Sequence, residues 1–318
     1  MAQFRLRMPK LDLQSNVALS GYTTLMAGGP AKWLAEFDDV DALAEAAAEA
    51  QKLQLPYSTL GSGSNILPSD KGVPHLVFID RCRKYYFGKT QYVECGSWFQ
   101  DVFLQAAQQG LAGLEFAVGV PGTLGGALVS NAGAYRANIA DFLTEVEIVR
   151  EGVRKWVPKE QMEFSYRDSI LRRPDPPSIT LLAVKLCLEP GDPAQIYNRA
   201  KEYQRQRIGK QPPHPSAGSF FKNVVDHHVA ERIPNLTEGM RAAGVVPAGY
   251  LIEACGLKGE AEGRATISGK HGNFICNLGG ATASQIRRLA ERVKKVVQDK
   301  FGVTLEEEVL YIGNWDAA

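Results

Sequence analysis

The sequence carries no strong net charge and no long apolar run, and each absence excludes a class of protein. Its 36 basic and 35 acidic residues leave a formal charge of +1, so no global field attracts nucleic acid or an anionic membrane. No apolar run approaches the roughly 20 residues that span a bilayer. The N-terminal stretch also lacks the apolar core of a secretory signal. We therefore expect a cytoplasmic protein without nucleic-acid or membrane partners.

Closely spaced cysteine pairs are lacking as well. The five cysteines are odd in number, far apart and without a CxxC spacing: Cys82, Cys95, Cys187, Cys255 and Cys276. We expect reduced thiols, and neither a disulfide framework nor a metal site. With 45% hydrophobic and 22% charged residues, the chain has the composition of a globular protein. Its 318 residues are enough for two or three small cores.

Strand and helix patterns alternate irregularly along the chain, which predicts an α+β fold with at least two domains. The predicted helices are Val40–Leu53, Phe99–Gln109, Pro193–Gly209, Gly249–Cys255 and Ala283–Lys300. The predicted strands are Leu76–Ile79, Gln91–Cys95, Val146–Arg150, Ile179–Leu188 and Val309–Ile312. The largely apolar strand Ile179–Leu188 is expected to be central. Pro212, Pro213 and Pro215 mark the main domain boundary.

Two separated glycine-rich loops are the first candidates for a ligand site. The loop Gly61–Asn65, GSGSN, follows a strand-like segment, and its backbone N–H groups can point at an anion. It lacks the lysine of a P-loop and does not match GxGxxG, so a plain turn is the alternative. The loop Gly119–Tyr135, GVPGTLGGALVSNAGAY, is dense in glycine, and each glycine costs backbone entropy when the loop becomes ordered on folding. A buried turn rarely needs so many glycines, which favours a ligand site. A glycine-rich bend between two sheets is the alternative. Together the two loops suit a dinucleotide such as FAD.

Eight stretches, in order along nearly the whole chain, resemble a known family. They are YTTLMAGGPA (Tyr22–Ala31), GSGSN (Gly61–Asn65), GVPGTLGGALVSNAGAY (Gly119–Tyr135), YRDSIL (Tyr166–Leu171), AGSFFKN (Ala217–Asn223), AGYLIEACGLKG (Ala248–Gly259), KHGNFICN (Lys270–Asn277) and LEEEVLYIG (Leu305–Gly313). With these motifs the chain resembles the UDP-N-acetylenolpyruvoylglucosamine reductases, also called UDP-N-acetylmuramate dehydrogenases. Only a short segment, 172–178, follows YRDSIL, so the chain resembles the shorter kind of member, which lacks an inserted tyrosine-bearing loop.

The resemblance implies a two-domain α+β fold. Residues 1–209 would form an FAD-binding domain of the vanillyl-alcohol-oxidase (PCMH) type, which could divide into two subdomains near residues 70–75. Residues 210–308 would form a smaller α+β substrate-binding domain. Residues 309–318 would return to the FAD domain as a strand.

The resemblance also implies FAD as the bound cofactor and NADPH as the electron-donating co-substrate. The two glycine loops would then supply the cofactor contacts. These residues are Gly61, Ser62, Gly63, Ser64, Asn65, Gly119, Pro121, Gly122, Gly125, Gly126, Asn131, Ala132, Gly133 and Ala134.

The implied reaction is the NADPH-dependent reduction of UDP-N-acetylglucosamine enolpyruvate to UDP-N-acetylmuramate, a step of peptidoglycan precursor synthesis. A hydride from flavin N5 adds to the β-carbon of the enol ether, and a proton adds to the α-carbon. Because an enol ether is electron-rich, the attached carboxylate must accept negative charge as the hydride arrives. The reaction therefore needs a group that stabilises the negative charge and a proton donor for the α-carbon.

Three residues match the catalytic positions of the family. Arg167 can bind the substrate carboxylate with two parallel hydrogen bonds. Glu308, if burial keeps it protonated, can donate a hydrogen bond to the developing enediolate, and Ser219 would be the proton donor. Each residue also has a purely structural alternative. Arg167 could form a surface ion pair, Ser219 could cap a turn, and Glu308 could belong to a solvated acidic run. We adopt the last interpretation for the neighbouring Glu306 and Glu307.

Substrate contacts follow from the same matching. Tyr166, Lys210 and Asn223 match them, with Lys210 as a point charge for the UDP diphosphate. Ala254 stands where the family often has a glutamine, so a contact is either lost there or supplied by Glu253.

Two other functions remain open on the sequence. Another flavoenzyme with the same type of FAD-binding domain, such as an oxidase of alcohols or sugars, would explain the glycine loops but not Arg167, Ser219 and Glu308 together. A catalytically dead nucleotide-sugar-binding protein would bind no flavin. The expected partners are the enolpyruvyl UDP-sugar and NADPH, and the expected assembly is a monomer.

Overall fold

The computed structural model describes residues 1–8 and 10–315, which form nine α-helices and twenty β-strands. The helices are α1 (Ala2–Arg7), α2 (Val40–Lys52), α3 (Phe99–Gln108), α4 (Leu124–Val129), α5 (Pro193–Lys210), α6 (His227–Arg232), α7 (Glu238–Ala242), α8 (Ala248–Ala254) and α9 (Ala283–Phe301). The strands are β1 (Gln14–Ala18), β2 (Pro30–Phe37), β3 (Tyr57–Leu60), β4 (Ile66–Pro68), β5 (Val73–Asp80), β6 (Tyr85–Phe87), β7 (Gln91–Glu94), β8 (Leu111–Ala112), β9 (Gly133–Ala134), β10 (Ala137–Asn138), β11 (Leu143–Arg150), β12 (Val153–Pro158), β13 (Ile179–Leu186), β14 (Glu189–Pro190), β15 (Val224–Val225), β16 (Val245–Val246), β17 (Ala261–Glu262), β18 (Ala265–Ile267), β19 (Ile275–Asn277) and β20 (Leu310–Ile312).

The chain divides into two compact units, each of which takes more than one segment. Unit one comprises Met1–Val17, Ala31–Gly63 and Pro74–Gly209, and unit two comprises Ala18–Pro30, Ser64–Val73 and Lys210–Ala318. We predicted that residues 309–318 return to the FAD domain. β20 pairs in parallel with β4, a strand within the predicted range 1–209, and both strands fall in unit two. Of this segment, residues 316–318 lie outside the described residues.

Unit one is built on two sheets. A four-stranded sheet has the order β1-β2-β5-β3, with β3 and β5 parallel. Its apolar cluster joins Phe78 of β5 to Leu43 of α2, both fully buried. A five-stranded sheet has the order β12-β11-β13-β7-β6 and is antiparallel. The prediction that the apolar run Ile179–Leu188 is a central strand is confirmed, because β13 lies in the middle of this sheet.

Capping chemistry sets the helix boundaries, which differ from the predicted ones by one residue. Asp39 begins α2 by accepting hydrogen bonds of 3.0 Å from the N–H groups of Asp41 and Ala42. Gly302 ends α9 in the left-handed conformation, with a φ of 65°. The sequence reading omitted the short helices α1, α4, α6 and α7 and the longer strands β1, β2 and β12. It also omitted the two-residue strands, which are too short for a periodic pattern.

Unit two packs around one apolar cluster. The amphipathic helix α9 contributes Ile286, Leu289 and Val293, and α8 contributes Leu251 and Ile252. Strands β17, β18 and β19 form a small antiparallel sheet beside α9. Over residues 1–8 and 10–315, no helix has the length and apolar character needed to cross a bilayer.

Candidate active site

The turn that carries Arg167 in unit one has an unusual backbone. Ser165 and Asp168 close the turn with two reciprocal backbone hydrogen bonds of 3.1 and 3.3 Å. Arg167 lies between them with a φ of 53°, in the left-handed region that non-glycine residues rarely adopt. Its Nη2 donates to the carbonyl of Gly133 at 2.6 Å, and its guanidinium lies 5.8 Å from the ring centroid of the half-exposed Tyr166. Backbone strain of this kind concentrates at functional sites.

Asn131 anchors the turn from the second glycine loop. Its Nδ2 donates to the carbonyl of Ser165 at 2.8 Å, and its Oδ1 accepts from the N–H of Ala140 at 3.3 Å. The residue is buried, and it also has a positive φ, 43°. Because the protein engages both ends of this side chain, Asn131 acts directly on the turn of Arg167. The cofactor contact that we predict for Asn131 would therefore add to these two hydrogen bonds.

We expect Asn131→Ala to lower the free energy of unfolding by about 1–3 kcal/mol, because it removes the two hydrogen bonds through which Asn131 joins the carbonyl of Ser165 to the N–H of Ala140. It should also lower the turnover rate by loosening the turn of Arg167. Thermal unfolding and steady-state kinetics check both effects. Asn235→Ala is the matched control, since Asn235 has a similar φ of 57° but is exposed. Equal effects of the two variants would mean that only backbone strain is involved.

Within unit one, Gly61 of the first glycine loop lies against Thr123 of the second. A Cβ atom at Gly61 would come within 2.1 Å of Thr123 Oγ1, so only glycine fits there. Thr123 Oγ1 in turn caps α4 by accepting from the N–H of Gly126 at 3.3 Å. Gly119 and Gly122 have φ values of 69° and 124°, which favour glycine. The loops therefore expose backbone that a ligand can approach closely.

Unpaired buried hydroxyls accompany the loops. Ser62 Oγ in the first loop and Thr59 Oγ1 on β3 are buried and have no hydrogen-bond partner. A cavity of about 290 Å³ lies beside the second loop and is lined by Trp98, Gln100, Asp101 and the segment 119–122. Because buried polar groups are normally paired, these donors and the glycine backbone fit a ligand rich in acceptor oxygens, such as the pyrophosphate of FAD.

A substitution at Gly126 separates cofactor contact from protein packing. A Cβ at Gly126 would meet its nearest protein atom at 3.6 Å, an ordinary contact. We therefore expect Gly126→Ala to fold normally and to retain at least tenfold less FAD after purification, measured by flavin absorbance against apoprotein melting temperature. Gly239→Ala, at an open position of α7, is the control. Full flavin content in Gly126→Ala would remove this residue from the cofactor contacts.

In unit two, Ser219 and Glu308 lie on adjacent chain segments. Phe220, which follows Ser219, accepts a hydrogen bond through its carbonyl from the N–H of Glu308 at 2.8 Å. Asn65 of the first glycine loop donates from Nδ2 to the carbonyl of Glu308 at 3.0 Å. The backbone of Glu308 is thus held at both its N–H and its carbonyl, while Ser219 remains only partly buried.

Asn273 fixes the serine segment, and sequence reasoning missed it. Its carbonyl accepts from the N–H of Phe220 at 2.8 Å, and its Oδ1 accepts from the N–H of Phe221 at 3.0 Å. Its Nδ2 donates to the carbonyl of Phe221 at 2.9 Å, and the residue is 3% exposed. The sequence did contain a signal for this role. Asn273 directly precedes the apolar run Phe274–Cys276, and a polar side chain next to a buried segment needs hydrogen-bond partners.

The acidic run before β20 is not uniformly solvated. Glu306 has a side chain that is 71% exposed, and it pairs with Lys222. Glu307 is only 16% exposed and pairs with Lys294 of α9 at 3.0 Å. The expectation of a solvated side chain is therefore wrong for Glu307, because α9 covers it and supplies a cation.

Lys210 and Glu253 of unit two both act electrostatically on His271. Burial lowers the pKa of His271, Glu253 acts in the opposite direction, and the charge of Lys210 lowers the pKa further. Glu253 accepts from the N–H of Gly272 at 2.9 Å and pairs with Lys258 at 3.3 Å. A substrate contact by Glu253 would thus add to existing interactions.

The predicted site residues are distributed over both units. Unit one contains Tyr166, Arg167 and all predicted cofactor residues except Ser64 and Asn65. Unit two contains Ser64, Asn65, Lys210, Ser219, Asn223, Glu253 and Glu308. Asn223 accepts through Oδ1 from the N–H of Ala248, the first residue of α8, at 3.2 Å, so its amide N–H groups can serve a ligand.

Comparisons with known proteins identify the family. Residues 210–312 match the C-terminal domain of UDP-N-acetylenolpyruvoylglucosamine reductase, and residues 31–152 match an FAD-binding domain. The reductase of Lactobacillus delbrueckii subsp. bulgaricus is 36% identical over 98% of this chain and 99% of its own length. That of Synechococcus elongatus is 38% identical over 95% of both chains. The chain belongs to the UDP-N-acetylenolpyruvoylglucosamine reductase family.

A solved structure supports the same assignment. The UDP-N-acetylenolpyruvylglucosamine reductase of Thermus caldophilus is 33% identical, has a TM-score of 0.74, and is matched over 95% of this chain and 98% of its own. The α+β fold with an FAD-binding domain of the vanillyl-alcohol-oxidase type is confirmed. The prediction of an FAD-dependent oxidoreductase is confirmed as well. UDP-N-acetylenolpyruvoylglucosamine reductases act in peptidoglycan synthesis and use FAD with NADPH as reductant.

Proposed function

We propose that this protein reduces UDP-N-acetylglucosamine enolpyruvate to UDP-N-acetylmuramate with electrons from NADPH. The observation that carries the proposal is a family match that extends over nearly the full length of both chains and includes both the FAD-binding and the C-terminal domain. When bound, FAD supplies hydride taken from NADPH. We expect a monomer in the cytoplasm, where UDP-sugars and NADPH are available.

Arg167 has the task of binding the substrate carboxylate and stabilising the charge that develops on it. A guanidinium is always charged and holds a carboxylate in a planar fork. The strained turn, the anchor at Asn131 and the bond to Gly133 support this role, because they hold the arginine side chain in one orientation before substrate arrives.

Glu308 and Ser219 complete the reaction. Protonated Glu308 donates a hydrogen bond to the enediolate, and Ser219 gives its hydroxyl proton to the α-carbon. The product then carries one hydride and one proton more than the substrate, and the serine regains its proton from solvent. Support comes from the backbone bond between Phe220 and Glu308, which places the two segments side by side in unit two.

The test is an anaerobic stopped-flow experiment on the purified holoprotein. NADPH should bleach the flavin absorbance, and the enolpyruvyl UDP-sugar should restore it. Bleaching by NADPH without restoration by this sugar would favour another flavoenzyme of the same fold. A colourless protein that binds the sugar without turnover would indicate a nucleotide-sugar-binding protein.

A further inference from the structure

Arg207 differs from most residues of its helix, α5, because its side chain points into the protein and not toward solvent. Helix α5 is largely exposed and buries only Ile196 and Ala200 among its side chains. The guanidinium of Arg207 nevertheless turns into unit one, where its Nη2 donates to the carbonyl of Phe116 at 3.2 Å. Its Nε is buried and has no hydrogen-bond partner. A buried donor without a partner is rare in a folded protein, so a group that can accept from it is expected nearby.

Arg207 also lacks a carboxylate partner. On the same helix, Arg199 pairs with Glu115 at 3.4 Å and Arg205 with Glu202 at 4.0 Å. Within residues 1–8 and 10–315, no ion pair includes Arg207. A charge that is partly withdrawn from solvent is favoured by an anionic partner, and the described residues supply none in an ion pair with the half-buried Arg207.

A second cation, Arg167, acts electrostatically on Arg207. Burial lowers the pKa of Arg207, Tyr135 acts in the opposite direction, and the charge of Arg167 lowers the pKa further. Both arginines belong to unit one.

The tyrosine under Arg207 is rigidly held. The rings of Tyr135 and Tyr203 stack with centroids 3.7 Å apart and planes 3° apart, and the hydroxyl of Tyr135 donates to the carbonyl of Tyr203 at 3.0 Å. The guanidinium of Arg207 lies 5.7 Å from the ring centroid of Tyr135. Tyr135 follows Gly133, the acceptor for Arg167, by two residues, so one short segment supports both arginines.

We propose that Arg207 is a substrate-binding residue that, together with Arg167, binds the carboxylate of the enolpyruvyl ether. This inference rests on the proposed function and deepens it. The unpaired Nε–H of Arg207 supplies a donor for an oxyanion, and a guanidinium presents its N–H groups in a fork that matches a carboxylate. The UDP diphosphate has similar chemistry, and the experiment distinguishes the two sources.

The test measures ligand binding to oxidised holoprotein without NADPH, through the change in the flavin spectrum. Two ligands are compared: the enolpyruvyl UDP-sugar, and UDP-N-acetylglucosamine, which has the diphosphate but no carboxylate. In Arg207→Gln, the Kd of the enolpyruvyl sugar should rise at least tenfold, and that of UDP-N-acetylglucosamine less than twofold. Equal weakening of both ligands would overturn the carboxylate assignment in favour of the diphosphate, and an unchanged Kd for both would overturn it entirely.

Two further variants secure the result. Arg205→Gln, on the same helix but 68% exposed, should bind both ligands like the wild type. Arg207→Lys keeps the charge but loses the fork, and it should lie between Arg207→Gln and the wild type; it also serves if Arg207→Gln does not fold. A purely structural role would change both ligands alike. Failure of the wild type to bind the enolpyruvyl sugar would count against the proposed function, independently of any variant.

Discussion

Ser219→Ala is expected to leave the reduction of flavin by NADPH at the wild-type rate and to slow its reoxidation by the enolpyruvyl UDP-sugar about 10²–10⁴-fold. Alanine has no proton to give, so the charge on the substrate carboxylate persists until solvent protonates the α-carbon. The hydride donor and its binding site are untouched by this change. Anaerobic stopped-flow mixing separates the two half-reactions and shows which of them slows.

The surroundings of Ser219 make this substitution a clean test. The neighbouring Phe220 is held through its backbone by Asn273 and Glu308, neither of which uses the serine side chain. Ser216→Ala is the control, since Ser216 Oγ only accepts a long bond of 3.5 Å from the N–H of Gly218. Equal reoxidation rates in Ser219→Ala and the wild type would remove Ser219 from proton donation.

Local sequence patterns predicted several helices and strands, whereas pairings between distant segments determine to which of the two units each element belongs. The apolar run of β13 and the capping residues of α2 and α9 act within a few residues, so sequence reasoning placed the two helices within one residue and the strand within two. The assignment of β4 and β20 to unit two depends on a parallel pairing across more than 200 residues. Strands of three residues are too short for a periodic pattern, so the sequence does not predict that β4 and β20 pair.

The candidate site shows the same limit. Motif resemblance supplied Arg167, Ser219 and Glu308, because it carries over residue identities along the chain. It did not supply Asn273, whose partners lie some 50 residues away. It also missed the burial of Glu307, because the covering cation, Lys294, comes from the face of a separate helix. Arg207 was likewise indistinguishable by sequence from the paired arginines of α5, since only coordinates reveal an unpaired Nε.

Glu308→Gln is expected to slow the oxidation of reduced flavin by the enolpyruvyl UDP-sugar about 10²–10³-fold, the usual effect of losing one donor to a developing oxyanion. Glutamine has nearly the same size, and the bonds from Glu308 N–H to Phe220 and from Asn65 to its carbonyl involve only backbone atoms of this residue. The fold should therefore survive. The amide cannot release a proton, and it donates to the enediolate less strongly than a carboxylic acid. Single-turnover kinetics with pre-reduced enzyme measure this step directly.

The neighbouring glutamates distinguish this loss from a general effect of removing charge. Glu306→Gln, at an exposed position, should react like the wild type. Glu307→Gln breaks the pair with the partly buried Lys294, so it should lower the melting temperature while sparing the single-turnover rate of the folded enzyme. Because all three variants remove one carboxylate from the same short run, only a group that contacts the substrate should alter the chemical step. A wild-type rate in Glu308→Gln, or an equal loss in Glu306→Gln, would show that the donor to the enediolate lies elsewhere.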